Sequence, residues 1–152
     1  MPEKPPLAPY FLIALALIGL GDTAFLSYYA YLNVVPSCAI GGCDIVLSSP
    51  YSKPFGVPFG YIGLFYYLHM LGLAVLLAID PHSRGMRLAA LLYTGVGLLL
   101  SIGFEAFQFF VIGALCLYCG ISAGVTLLLF VVVLRHFRSP VLDGRNRRDF
   151  LK

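Results

Sequence analysis

Gly113-Ala114-Leu115-Cys116-Leu117-Tyr118-Cys119-Gly120 interrupts two long apolar runs, and its shortness decides the fold. Residues 86–110 before it and 114–135 after it are each long enough to cross a bilayer, for which about 20 apolar residues suffice. A link of only a few residues forces the two helices into an antiparallel hairpin. The same stretch opens the second run with a Cys-x-x-Cys. Cysteines at i and i+3 share one helix face. At a helix N-terminus the macrodipole and the free N–H groups favour a thiolate. A pair so placed points to dithiol/disulfide exchange at a membrane surface.

Two further spans follow upstream. Residues 10–35 are nearly all apolar, broken by Asp22 and Asn33, and residues 58–79 form another run with Pro58 at an early helical position. The first run is read as a retained span, because apolarity continues past any cleavage site. The chain of 152 residues is 60% hydrophobic and 11% charged, where a soluble domain is closer to half apolar and a quarter charged. The expectation is one all-α integral membrane domain, a bundle of four transmembrane helices with a long outer loop at 36–57 between helices one and two. Within that loop, Asp44-Ile45-Val46-Leu47 is expected to form a short interfacial helix that stops near Pro50.

Charge orients the bundle. Lys4, Arg84, Arg87, Arg135, Arg138, Arg145, Arg147, Arg148 and Lys152 fall on one side of a four-span arrangement and only Lys53 on the other. The positive-inside rule then makes both termini cytoplasmic, with a basic cytosolic tail over 136–152. Arg147-Arg148 looks like a twin-arginine signal but sits at the wrong end; a tail attracted to anionic lipid is the better reading, and nucleic acid is not an expected partner. The same orientation puts Cys38, Cys43, Cys116 and Cys119 at the outer face, where disulfides persist.

Three readings of the four cysteines compete. Two structural disulfides, in a non-catalytic tetraspan protein, would gain little, because a Cys-x-x-Cys closes a tiny loop. A zinc site lacks an accompanying His, so no metal is expected. A relay is the third: one pair takes electrons from an external dithiol and the other hands them to an acceptor in the membrane. Gly41-Gly42 supplies the freedom a shuttling loop needs. With no haem motif and no dinucleotide fingerprint, a lipid-soluble quinone is the acceptor this reading implies.

Cys43-x4-Ser48-Ser49, Phe55-Gly56 before a span, and Val111-Ile112-Gly113-Ala114-x-Cys116-x-x-Cys119 together resemble the vitamin K epoxide reductase family in its bacterial form, over about residues 10–135. The resemblance implies a four-helix bundle around a quinone, ubiquinone or menaquinone. It implies Cys116 and Cys119 as the active pair, with Cys119 facing the quinone, and Cys38 and Cys43 as the loop shuttle. It also implies a quinone site built from Asp44, Val46, Ser49, Tyr51, Phe55, Tyr66 and Phe104. Bacterial members oxidise a DsbA-like, thioredoxin-fold partner outside the cytoplasm. By this likeness the protein belongs in the bacterial inner (plasma) membrane, and, with no thioredoxin domain fused to it, works with a separate partner. A DsbB-type oxidase fits less well, since its Cys-x-x-Cys belongs to the first outer loop. Vertebrate enzymes carry an Asn just before helix two and a Tyr four residues after the second active Cys. Here Pro58-Phe59 and Ala123 stand at those places, which argues against vitamin K epoxide reduction.

Among the remaining polar residues, Asp22 is expected to be neutral and bonded to a neighbouring helix, with a proton relay as the alternative. Glu105 and Gln108, one turn apart, are expected near the interface or the quinone headgroup. Glu105 is the candidate proton relay. His69 reads as a hydrogen-bonded packing residue, and Gly63 and Gly72 as sites of close helix approach.

Overall fold

The computed structural model describes residues 7–39, 42–81 and 83–138. Lys4, Ile40, Gly41, His82 and the basic tail beyond residue 138 lie outside them. Helix dominates, with no strand among the described residues. The principal elements are α1 (Ala8–Tyr31), α2 (Cys43–Ser48), α3 (Phe59–Ile79), α4 (Arg84–Phe107) and α5 (Leu117–Arg138). Single 3₁₀ turns at Pro50–Ser52 and Pro54–Gly56 lie between α2 and α3, and a wider turn at Gln108–Ile112 continues α4. α1, α3, α4 with its extension, and α5 are each long and apolar enough to cross a membrane. The chain is a multi-pass membrane protein.

The helix ends follow from local chemistry. α1 stops at Tyr31, short of residue 35, because Asn33 turns left-handed (φ 53°), a conformation that Asn tolerates better than most residues. α3 begins after Pro58, which has no N–H to leave unpaired. α4 is capped by the Ser83 hydroxyl, which accepts the Met86 N–H at 3.5 Å. α5 starts at Leu117 rather than Ala114, so Cys116 is the residue that immediately precedes it. Arg135, His136 and Arg138 occupy its last turn, where cations complement the helix dipole.

The four long helices close a ring: α1 packs most extensively on α3, α5 lies against both α1 and α4, and α3 touches α4. Leu12, Ala16, Met70, Ala74, Leu77, Ala90, Leu129 and Val133 fill its interior. Small residues set the closest approaches, as expected where lipid gives no hydrophobic drive between helices. Gly19 lies against the Tyr67 ring, and a side chain at Gly60 would come within 2.9 Å of the Ser27 backbone. Gly63 meets Thr23 in the same manner. Gly72 departs from expectation: nothing lies within 4 Å of where its side chain would be, because it faces outward.

The two ends of the ring differ in charge. Arg84, Arg87, Arg135 and Arg138 gather at the end where α4 begins and α5 finishes. There Arg87 donates to the Phe137 carbonyl at 2.9 Å and lies over its ring. All four cysteines lie at the opposite end, with Lys53.

Candidate active site

Cys38 and Cys43 form a disulfide, with Cα atoms 5.8 Å apart, and Cys116 and Cys119 are free thiols. The structure therefore holds one disulfide, not two, and the joined pair is the one in the loop.

Local geometry seats this loop on the turn ahead of α5. Gly42 is left-handed (φ 89°) and its carbonyl accepts the Val46 N–H at 3.0 Å, starting α2. A side chain at Gly42 would come within 2.7 Å of the Leu115 carbonyl oxygen, so this position demands glycine for both conformation and space. Cys43 and Val46, one turn apart, are buried in a cluster with Cys116. Cys38 packs against its edge, half-buried. The Tyr118 hydroxyl donates to the Ser37 carbonyl at 3.3 Å and ties the loop to α5 a second time.

Cys116 occupies the capping position of α5: its carbonyl accepts the Gly120 N–H at 3.0 Å. Its thiol is pulled down from 9.0 to about 7. The largest cause is a hydrogen bond from Cys119, and the backbone N–H groups of Cys119 and Tyr118 add to it; burial and the charge of Glu105 oppose. The acidification thus comes first from the partner thiol, with the start of the helix a lesser contribution. Its own N–H donates to Gln108 Oε1 at 3.0 Å, inside the fold.

Beneath the pair, a cavity of about 690 Å³ opens among α1, α3, α4 and α5. Cys119 is in its wall; Cys116 is not. The lining is mainly apolar, with Leu26, Val46, Phe59, Phe104 and Phe107 prominent. Phe59 and Phe104 lie 4.0 Å apart by ring centroid, and Tyr51 meets Phe107 edge-on at 5.1 Å. The polar groups are few. Glu105 is half-buried in the wall. The Tyr66 hydroxyl, beside Gly97, is buried without a hydrogen-bond partner. Tyr67 is buried and bonded to the Ser122 carbonyl (2.7 Å) and to Thr126 Oγ1 (3.0 Å). A lipid-sized void with apolar walls, one sulfur and a few hydroxyls fits a quinone ring and the start of its tail.

Of the residues named from sequence, Val46, Tyr51, Tyr66, Phe104, Glu105 and Cys119 line this cavity. Asp44, Ser49 and Phe55 do not. Asp44 is exposed on the outer side of the first turn of α2. Ser49 turns inward on its own segment, its hydroxyl donating to the Val46 carbonyl at 2.7 Å. Phe55 is left-handed (φ 56°) and fully exposed at the rim. His69 lies on the outer surface and donates from Nδ1 to the Phe65 carbonyl at 3.0 Å. Asp22 is half-buried in α1, outside the cavity lining, with Oδ2 unbonded rather than joined to a neighbouring helix. Sequence reasoning missed Tyr67, Ser122 and Thr126. The last two follow Cys119 at i+3 and i+7, the spacing of one helix face, so that stripe was a usable signal.

Loop disulfide, acidified thiol, second thiol and apolar cavity are thus contiguous. Such an arrangement can pass a disulfide inward and electrons to an apolar oxidant. Residues 10–134 match the family model described as VKOR: Vitamin K epoxide reductase family.

Proposed function

The chain belongs to the vitamin K epoxide reductase family, and from that premise we propose that it oxidises a dithiol partner protein and reduces a membrane quinone. Membership itself implies an oxidoreductase, and proteins of this family use quinones. The observation that carries the reading is the division of labour between sulfurs: Cys43 is buried against Cys116, while Cys119 of the active pair opens into the cavity.

In this reading a thioredoxin-fold protein on the outer side attacks the loop disulfide at Cys38, the less buried of its two sulfurs. The loop dithiol then reduces the Cys116–Cys119 disulfide through a Cys43–Cys116 mixed disulfide. The helix dithiol gives two electrons and two protons to the quinone and returns to the disulfide. The pairing seen here, loop joined and helix pair reduced, is the state just before that last step. Glu105, in the cavity wall, is the group we assign to moving the protons. The cytoplasmic placement of both termini and of the basic tail belongs to the same proposal.

The test is turnover by the full chain in lipid nanodiscs with a reduced DsbA-like protein and a soluble ubiquinone or menaquinone analogue, followed as quinol absorbance. Cys119→Ala is expected to abolish quinol formation. The Cys38→Ala/Cys43→Ala double variant is expected to lose it with the protein partner while keeping it with dithiothreitol, which reaches Cys116 directly. Quinol formation that survives Cys119→Ala sinks the proposal. Glu105→Gln is expected to slow turnover with the Cys43–Cys116 exchange unchanged; an unaffected rate would remove its role.

A further inference from the structure

Gln108 is the only glutamine in the chain, it has no exposed surface, and it is not part of the cavity lining. The turn that carries it departs from α-helical bonding. The Gly113 N–H reaches back five residues to the Gln108 carbonyl (2.9 Å), with Gly113 left-handed at φ 73°. Wide turns of this kind recur at functional sites. Here the turn sets the Gln108 side chain against the segment that follows, where Oε1 accepts the Cys116 N–H. With Oε1 engaged by a donor, the other end of the carboxamide is necessarily the NH₂. Nε2 is buried and finds no acceptor at bonding geometry. Cys119, one turn past the Cys116 N–H that Oε1 holds, carries the sulfur whose charge the amide favours. A thiol or disulfide sulfur is a weak acceptor, whereas hydrogen bonds to an ionised acceptor are about twice as strong as neutral ones. A thiolate at Cys119 would give the unmet donor the strong acceptor it lacks.

We propose that Gln108 is a catalytic residue of the dithiol, donating from Nε2 to the Cys119 thiolate while Oε1 holds the Cys116 backbone. The proposal rests on the thiol-exchange reading but not on the identity of the final acceptor. The step it assists is balanced in bonds and electrons. The Cys43 thiolate attacks the Cys116 sulfur, the Cys43–Cys116 bond forms, the Cys116–Cys119 bond breaks, and the electron pair leaves on Cys119. The leaving sulfur thus develops its charge beside the amide, and a stabilised leaving thiolate departs faster. Other titratable groups share the neighbourhood. Cys116 and Glu105 act on Cys119 directly, Cys43 of α2 packs in the same cluster, Tyr51, Tyr66 and Tyr67 line the same cavity, and α1 brings no titratable side chain to it.

Because the chain has one glutamine, labelling with side-chain ¹⁵N-glutamine gives a single NH₂ pair in the full chain. In reduced Cys116→Ala protein in micelles, that pair is expected to shift as pH rises, and the shift is expected to vanish when Cys119→Ala is added. A second measurement reads alkylation of Cys119 by N-ethylmaleimide in a Cys116→Ala background. Gln108→Leu is expected to slow it about tenfold near pH ~7, while leaving alkylation of Cys116 in a Cys119→Ala background unchanged. Resonances that do not move with Cys119, or alkylation of Cys116 and Cys119 slowed equally, would leave Gln108 as a structural tie and overturn the proposal. If Gln108→Leu does not fold, the resonance experiment on the unsubstituted residue decides alone. Neither measurement uses quinone or partner, so each succeeds or fails independently of turnover.

Discussion

At the scale of single residues, the site depends on which sulfur stands at the start of α5. Cys116 immediately precedes the helix and takes its N–H groups; Cys119, one turn further, takes the cavity instead. The spacing in sequence shows that the two share a face, but not which of them caps, because that turns on a helix start three residues later than expected. The acidified thiol has a consequence for stability. Its pKa falls from 9.0 to about 7 on folding, so between those values the unfolded chain holds a proton that the folded chain has released. Stability from this group is complete above 9.0 and is lost as pH falls through about 7. The reduced protein should therefore melt at higher temperature near pH ~9 than near pH ~6, and Cys116→Ala should shrink that difference in a thermal scan. A second residue tests the cavity. Ala123 lines it, four residues after Cys119. Filling it with Ala123→Leu should raise the KM for quinone by roughly tenfold, since overpacking costs about 1–3 kcal/mol. The Cys43–Cys116 exchange should be untouched. Equal loss in both steps would mean the cavity does not hold the acceptor.

Elements were legible to the extent that apolarity marks them. The four spans and the short α2 follow from runs of apolar residues, and α2 stops before Pro50 as its sequence requires. Two features were not legible because they depend on a tertiary neighbour, the wide turn at Gln108–Ile112 and the seating of the loop on Leu115; the left-handed turn at Asn33 is local, but sequence does not select it from the other conformations open to Asn. Phe55 and Asp44 illustrate the same limit in the loop, where nothing in a 22-residue connection says which side chains turn inward. Gly42 gives the sharpest test at this scale. An alanine there has both the left-handed backbone and the Leu115 carbonyl against it, a strain of about 1–3 kcal/mol. With Cys38→Ser and Cys119→Ser in place, Cys43 and Cys116 are the remaining thiols and should form a mixed disulfide readily. Adding Gly42→Ala should cut its yield on non-reducing gels by about tenfold. An undiminished yield would show that the loop reaches Cys116 without this seat.

For the whole molecule, the ring of four helices separates two chemistries by the thickness of a membrane. One end carries Arg84, Arg87, Arg135 and Arg138; the other carries the cysteines and Lys53. Basic residues near span ends favour the cytoplasmic side, and disulfides persist on the oxidising side. The two rules are physically independent, one about translocating charge and the other about redox poise, and both support the proposed orientation, with termini inside and cysteines outside. They also make the exposed apolar side chains of the outer faces, such as Leu68, Leu99, Leu100 and Leu128, lipid contacts rather than a liability. Sidedness can be read with a membrane-impermeant maleimide on intact cells, using cysteines added at Lys53 and at Arg138. Lys53→Cys should label from outside, and Arg138→Cys only after the membrane is opened. The reverse pattern would put the loop disulfide in a reducing compartment, where an external dithiol partner could not meet Cys38, and would overturn the direction of the proposed electron path while leaving the geometry of the four sulfurs intact.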